Sequence, residues 1–473
     1  TCPDRYVCEA EALRAQIISG FREAEEADDA AYLGVETHEP HDSEMRGRPT
    51  GVYKGTRESV IQRLEGWIED PVGKGRVYWV RGAAGTGKST IARTICEKYA
   101  GTLLAASFSF SRNDSLRNSL DHFVPTIAYQ LAESHRLCSE FNLEISDLLS
   151  AEPLTTNVDW EEQFSRLISL PCAAINAELW PSLPRLIVID GLEECMDRDP
   201  QTGKIDQQLR AREGQRRLLS AIHATSTQPS SPLDFLIFSR PGPTIATFFR
   251  SHPFNPALER FDMQELRSQA DADIKLYLRD QFTRLVDLHP DAGLEKAWPG
   301  KEVIHELTLN ADGCFSYVAT AIRYITGDDP DLPLPQQRLE IVLCASRTSL
   351  YRDLSPLDQL YQHILQPFMR WRERLLLPIL RLIIFPSRDP EIPGSSPTFS
   401  LANGSSYRSQ HAIAELLKLD PEQVSAVLSQ LHSVLHVPDD RRMEDVKILD
   451  GSFSDFLTDK RRSLDSHVEP LGD

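Results

Sequence analysis

The sequence has no CxxC pair. Its eight cysteines, at 2, 8, 96, 138, 172, 195, 314 and 344, are scattered. That argues against zinc and dithiol redox motifs and fits buried thiols in a reducing compartment. Long apolar runs are missing as well. The most apolar stretch, Leu375 to Phe385, is interrupted by Pro378 and Arg381 and is too short to span a bilayer. The chain opens at Thr1 without a signal-peptide pattern, so a soluble, cytoplasmic protein is expected. Base is scarce: 51 Lys and Arg stand against 70 Asp and Glu, a net charge of −19. That deficit argues against a general nucleic-acid binder and against docking on an anionic membrane. No internal repeat of solenoid or propeller period occurs. His432 and His436 lie four apart without the glutamate of HExxH, which favours helix packing over a metal site.

What remains is an ordinary globular composition over 473 residues, with 41% hydrophobic and 26% charged side chains, long enough for two to four domains. The acid is concentrated at one end, where residues 1–50 carry twelve Asp and Glu against five Lys and Arg. Leu13, Ile17 and Phe21 recur at helical spacing and predict a helix over 8–33 with a solvated acidic face. A polar stretch from Glu36 to Thr50 reads as a linker. A second helix is expected over Glu58–Ile68.

The pattern then changes to short apolar strands alternating with helices. Strands are expected at Val77–Val80, Leu103–Phe110, Leu186–Ile189 and Phe235–Phe238. Helices are expected over Ser89–Tyr99, Asp121–Glu133 and 211–224. This alternation predicts a parallel α/β sheet across about 76–263. Beyond 265 the expectation is mostly helical: Ile274–Leu285, Lys301–Leu309, Tyr317–Ile325, a helix opened by Ser355-Pro356 through Leu365, and one or two more over 412–435. Val446–Leu449 reads as a strand and Phe453–Leu457 as a helix.

Residues 82–90 read GAAGTGKST, which fits G-x-x-x-x-G-K-[ST]. Glycines let successive backbone N–H groups curl inward as an anion nest, and the helix that follows adds its positive dipole end. Gly82, Gly85, Thr86, Gly87, Lys88, Ser89 and Thr90 are therefore candidate nucleotide ligands. Lys88 suits the β- and γ-phosphates and Ser89 suits Mg²⁺. A P-loop enzyme also needs a carboxylate at the end of another strand, and Leu186-Ile-Val-Ile-Asp190 supplies one. Asp190 is the expected magnesium-side acid, and Glu194 or Glu193 the water-orienting one. The next strand ends in Phe238-Ser239-Arg240, so Arg240 would face the same crevice and read a γ-phosphate.

These elements, in this order, resemble the NACHT branch of the signal-transducing STAND P-loop ATPases, and most closely the fungal NACHT proteins whose NTPase region is nephrocystin-like. Lys54-Gly-Thr-Arg57, SFSFSRND (107–114), PTIAYQLA (125–132), IDGLEEC (189–195), FSRP (238–241), ADIKLYL (272–278), DGCFSYVATAIRYI (312–325), LDQLYQHIL (357–365) and SFSDFL (452–457) all resemble stretches of that family. The resemblance spans about 50–460. It implies that Thr56 and Arg57 join the nucleotide site. It implies an α/β fold in which a P-loop NTPase parallel sheet is followed by a helical domain and a winged-helix domain. The boundaries read as an acidic helix and linker at 1–45, the NTPase core at 46–264, a helical lid at 265–350, a winged-helix-like domain at 351–460 and a polar tail at 461–473.

The function implied is a switch. ADP would hold it closed, ATP exchange would open it for self-oligomerisation and binding of protein partners, and slow ATP hydrolysis would reset it. ATP/ADP and Mg²⁺ are the implied cofactors, and the outputs of such proteins are cell death or non-self recognition. The chain departs from the family at four positions. Val52 stands where Cys is frequent, Glu193 where Asp is usual and Cys314 where Leu is usual. Asp450 stands where a His touches the β-phosphate of ADP, and a carboxylate there would repel it. About thirteen residues follow Lys460, so the expectation is either a fragment of a longer protein or a minimal switch without its own sensor. The alternative reading is a pseudo-switch, or scaffold, that binds nucleotide without turning it over. A DNA-associated ATPase is a weaker one, resting on Lys460-Arg-Arg462.

Overall fold

The computed structural model describes residues 51–70, 75–112, 117–134, 136–137, 141–142, 160–196, 207–228, 230–251, 258–289, 293–327, 334–347, 353–385, 408–438 and 445–469. The helix expected over 8–33 and the linker after it lie outside these residues.

Five strands form one parallel sheet: β1 (Val77–Arg81), β2 (Leu104–Ser109), β3 (Leu186–Asp190), β4 (Asp234–Ser239) and β5 (Leu258–Asp262). Their spatial order is β2-β3-β4-β1-β5. β4 thus separates the strand that enters the glycine loop from the strand that ends in Asp190. The chain segment between those two motifs, β2, lies at the sheet's edge instead. Register aligns Arg81 with Ser239 and Asp262, and Asp190 with Ser109 and Phe238. One edge of the sheet therefore collects the carboxyl end of every strand, which is where ligands bind in open parallel sheets.

Alternation along each strand builds two cores. Val77 and Trp79 face one side with Phe108, Ile187, Ile189, Phe235 and Ile237. Tyr78 and Val80 face the other with Leu186, Val188, Leu236 and Phe238. The second side is covered by α1 (Glu58–Glu69) and α2 (Lys88–Tyr99), through Val60, Leu64, Ile91 and Ile95. The first is covered by α3 (Leu120–Glu133), α4 (Gln207–Ser226) and α5 (Pro243–Ser251). β5 reads LERFD, with only Phe261 buried. It pairs with β1 at the sheet's other edge, and a strand solvated on one face carries no continuous apolar run.

The remaining elements are almost all helical. They comprise α6 (Arg267–Leu288), α7 (Lys301–Ala311), α8 (Phe315–Thr326), α9 (Pro335–Arg347), α10 (Pro356–Leu365), α11 (Leu377–Ile384), α12 (Gln410–Leu417), α13 (Pro421–Gln430) and α14 (Gly451–Thr458). A two-residue ribbon, Leu435–His436 against Lys447–Ile448, precedes α14. These elements share one apolar cluster running from Ile274 to Val468. The Ser355 hydroxyl accepts the Asp358 N–H at the start of α10, the N-cap expected of Ser-Pro. The apolar run at 375–385 is not broken by Pro378, which enters the first turn of α11 behind a π-helical turn, Arg372–Leu376. His432 is a packing residue: Nδ1 meets the Ser429 carbonyl and Nε2 the Arg323 carbonyl, each at 3.0 Å. Among the described residues no group of three or more His, Cys, Asp and Glu side chains is arranged to hold a metal ion by itself, and no helix is long and apolar enough to cross a membrane.

Phe453 anchors α14. It is fully buried, with ring centroids 5.0 Å from Tyr361 and 6.3 Å from Phe456. Phe453→Ala is expected to destabilise the C-terminal cluster by about 3–5 kcal/mol. Leu209→Ala, at a position 55% exposed on α4, should change stability by less than about 0.5 kcal/mol. Urea denaturation of the two variants followed by intrinsic fluorescence checks the contrast.

Candidate functional site

The loop between β1 and α2 begins where Gly82 N–H donates to the Ser239 carbonyl at 3.2 Å, so the loop hangs from β4 as well as β1. Gly85 and Gly87 adopt φ of +73° and +89°, the left-handed region that favours glycine. Gly85 is constrained twice, because a Cβ there would lie 2.5 Å from Cys314 Sγ and 2.9 Å from Ser316 Oγ. Gly87 caps α2 without a side chain, so no side-chain oxygen consumes the N–H groups of that helix's first turn. Lys88 is buried beneath the loop and donates to the carbonyls of Gly82 at 2.9 Å and Ala83 at 2.8 Å. Burial lowers its pKa, and the field of Glu193, Asp190 and Glu194 opposes that shift. Thr86 braces the loop by donating to the Ala83 carbonyl at 2.9 Å. Ser89 lies exposed at the start of α2, and the Thr90 carbonyl accepts from Thr94 Oγ1 at 2.9 Å.

Asp190 ends β3 with all its neighbours on that strand buried. Ser109 Oγ donates to its Oδ2 at 3.3 Å, while Oδ1 is buried and accepts no hydrogen bond. Burial pushes the carboxyl up to about 6, against the pull of the Ser89 hydroxyl and Lys88. Gly191 then turns the chain at φ +71°, where a Cβ would strike the Phe110 carbonyl oxygen at 2.8 Å. The following 3-10 turn, Leu192–Glu194, sends its two acids to different partners. Glu193 Oε1 pairs with Arg240 Nε at 3.1 Å, whereas Glu194 Oε2 accepts the backbone N–H of Arg112 at 3.0 Å. Burial raises Glu194 to about 7, reinforced by the charges of Glu193 and Asp455 and opposed by the Arg112 N–H.

Arg240 follows β4 and carries a second carboxylate, Asp455 of α14, at 2.5 Å from Nη2. Lys88, Asp190, Glu193, Glu194 and Arg240 therefore sit within one electrostatic neighbourhood at the sheet's carboxyl edge. Arg57 reaches it from outside the sheet. Its Nη2 donates to the Thr86 carbonyl at 2.8 Å, and its guanidinium lies 4.6 Å from the Phe315 ring centroid. The Arg57 backbone holds φ +55°, a conformation that costs a bulky residue about 1 kcal/mol or more. Asp273 Oδ2 fixes it by accepting the Arg57 N–H at 2.9 Å. Thr56 does not touch the loop; its hydroxyl donates to Tyr53 O at 2.7 Å. Asp450 also stops short of the loop. It caps α14 by accepting the Ser452 N–H at 2.8 Å and accepts Ser316 Oγ, and it is Ser316 whose N–H reaches the Gly85 carbonyl at 3.2 Å.

The residues present fit a nucleotide and a hard cation. The loop offers left-handed glycines, a helix N-terminus and a buried ammonium group, the set that suits bridged phosphates. The orphaned Oδ1 of Asp190 is a buried acceptor with the oxygen chemistry Mg²⁺ takes. Each of the two acids spends one oxygen, Glu193 Oε1 on Arg240 and Glu194 Oε2 on the Arg112 N–H, and Glu193 Oε2 is buried without a hydrogen-bond partner. Sequence reasoning missed Asp455, Ser316, Arg112 and Asp273. A signal existed for Asp455 alone: in SFSDFL it occupies the polar face of a helix whose Phe453 and Phe456 are buried.

The raised pKa of Glu194 has a stability consequence. The folded protein holds the Glu194 proton up to about pH 7, and the unfolded chain releases it near 4.5. Ionisation therefore opposes folding progressively as pH rises between those values, and fully above 7. Glu194→Gln should thus be more stable than the parent by about 1–2 kcal/mol at pH 8 and indistinguishable from it near pH 4.5. Thermal melts at the two pH values measure the difference.

Residues 55–240 match the family model described as Nephrocystin 3, N-terminal. No curated protein matches the chain significantly. Among solved structures, the chain aligns with the Orc1 protein of Aeropyrum pernix, solved in complex with DNA, at 13% identity. That alignment covers 88% of this chain and 93% of the other at a TM-score of 0.29, a loose overlay. With the sheet order and glycine loop described above, the family match makes the region from 55 to 240 P-loop NTPase-like.

Proposed function

We propose that this chain is a nucleotide-dependent switch of the NACHT/STAND class that binds ATP and ADP with Mg²⁺ and hydrolyses ATP slowly. One observation carries the reading. The residues suited to phosphate are the same ones that the helical and C-terminal segments touch: Gly85 meets Ser316, and Arg240 meets Asp455. Nucleotide state and segment closure thus draw on one set of contacts, the physical requirement for a two-state equilibrium biased by ligand. In this reading the loop N–H groups and Lys88 hold the phosphates, Ser89 and Asp190 hold the metal, and Glu194 orients water. Mg²⁺, when bound, supplies charge neutralisation at the phosphates. The helices from 410 to 430, the ribbon and α14 act as the winged-helix part. Opening exposes surfaces for self-assembly and for protein partners in the cytoplasm.

A scaffold that binds nucleotide without turnover is the second reading. It draws on Glu194, whose carboxylate is engaged by the Arg112 N–H and is half protonated at about pH 7. The DNA-associated alternative loses support from Arg462, whose Nε and Nη2 fork onto Asp358 at 3.1 and 2.6 Å.

Lys88→Ala should weaken Mg²⁺-dependent binding of both ATP and ADP by at least about 100-fold in calorimetry. Unchanged affinity would sink the proposal. Phosphate release above the Lys88→Ala background should be lost in Glu194→Gln and should rise with pH through about 7 in the parent, as Glu194 ionises. Release at background in the parent would leave the scaffold reading standing.

A further inference from the structure

Both ring nitrogens of His432 face carbonyl oxygens. Nδ1 lies 3.0 Å from the carbonyl of Ser429, near the end of α13, and Nε2 lies 3.0 Å from the carbonyl of Arg323 on α8. A carbonyl oxygen can only accept. A neutral imidazole has one N–H and one lone pair, so it satisfies one of these oxygens and aims a lone pair at the other. Only the imidazolium donates to both. Arg323 is among the last four residues of α8, whose carbonyls have no partner within the helix. Helix C-termini carry partial negative charge and favour cations. Arg338 of α9 is a second cation at this end: its Nη1 donates to the carbonyls of Tyr324 at 3.2 Å and Gly327 at 2.9 Å. A return contact runs the other way, since Arg323 Nε donates to the Ser433 carbonyl at 2.9 Å. The fit is close. A Cβ on Gly327 would strike His432 Nε2 and lie 2.7 Å from Arg338 Nη1.

We propose that His432 is a proton-operated clasp: as an imidazolium it ties the end of α13 to the C-terminus of α8, and release of its proton to solvent loosens that junction. The neutral ring keeps one hydrogen bond whichever tautomer it takes. The other contact becomes lone pair against lone pair. Like charge from the Arg323 and Arg338 guanidiniums opposes a third cation here, but both are turned onto carbonyls. Burial raises the Tyr324 phenol beside Arg338, so it stays neutral and adds no charge. Asp328 and Asp329 follow Gly327 in the sequence and lie outside the described residues. What the clasp controls is the attachment of the C-terminal segment to α8, the helix that meets the glycine loop through Ser316 and Gly85. This goes beyond the nucleotide reading and does not depend on it. The sign follows from linkage: a proton held more tightly in the folded state than in the unfolded one adds stability below the ordinary histidine value of about 6.5, and that stability is lost as pH rises through the folded value.

The test uses the full chain labelled with ¹⁵N-histidine. The His432 ring signals are those missing from His432→Gln, and the signals of His411, exposed on α12, serve as the reference. Near pH 7.5, about one unit above the ordinary value, His432 should show two protonated ring nitrogens and His411 one. A single protonated nitrogen on His432 at that pH overturns the proposal. The melting temperature of the parent relative to His432→Gln should fall as pH rises from about 6 to about 8.5, whereas His411→Gln should follow the parent. A parent-to-variant difference that is flat with pH also overturns it. The third measurement needs no variant and so survives a failure of His432→Gln to fold. In the parent, hydrogen-exchange protection of 323–327 and 429–433, corrected for the intrinsic effect of pH on exchange, should drop over the same range. Constant protection there rules the clasp out.

Discussion

The carboxyl edge of the sheet gathers more buried acid than base, and much of the structure answers to that imbalance. Asp190, Glu193, Glu194 and Asp455 surround Lys88 and Arg240. Four carboxylates in a sheltered place cannot all stay ionised beside two cations without penalty, because desolvation disfavours each charge. The structure distributes the strain. Glu193 and Asp455 take Arg240, Glu194 takes a backbone N–H, and Asp190 keeps one oxygen without a partner. A divalent cation relieves such a cluster directly. So does removal of the one acid that belongs to another segment.

Several polar contacts join the two halves of the chain. The sheet's apolar clusters and the helical cluster from Ile274 to Val468 are separate. Between them run the Arg57–Asp273 and Ser59–Gln269 hydrogen bonds, the Tyr53–Asp280 contact, the Ser316–Gly85 bond and the Arg240–Asp455 pair. Polar groups of this kind exchange partners with water at modest net loss. Tyr53 against Tyr277 adds an aromatic contact to the same seam. A seam built this way can be governed by a few charges.

Most of the sheet was legible because its inner strands are buried on both faces and read as uninterrupted apolar runs, as in LIVID and DFLIFS. β5 was not, since an edge strand with three charged residues resembles a loop. Leu435–His436 was hidden at the end of a helical pattern, and two paired residues leave no period to detect. The glycine loop was legible because its chemistry is local: nine consecutive residues fix the nest, the cation and the helix start. The division of labour between Glu193 and Glu194 was not, because it depends on Arg240 and on a backbone N–H at Arg112. Asp455 stood further out of reach, since its partner lies in another segment and adjacency along the chain says nothing of it. The Asp450 departure was visible, but its outcome was not: the carboxylate is used on Ser316 and on its own helix cap, and does not reach the loop.

Gly85 and Cys314 show what such a seam asks of the residues beside it. The loop glycine leaves a gap that a single methyl group would close, and the cysteine already leans into it. Two positions far apart in the chain therefore share one small volume. A bulkier side chain at 314 has to be accommodated by the loop, and any side chain at 85 has to push α8 away. Neither position can therefore be enlarged by itself, and the spacing between phosphate loop and helical segment is set jointly by the pair.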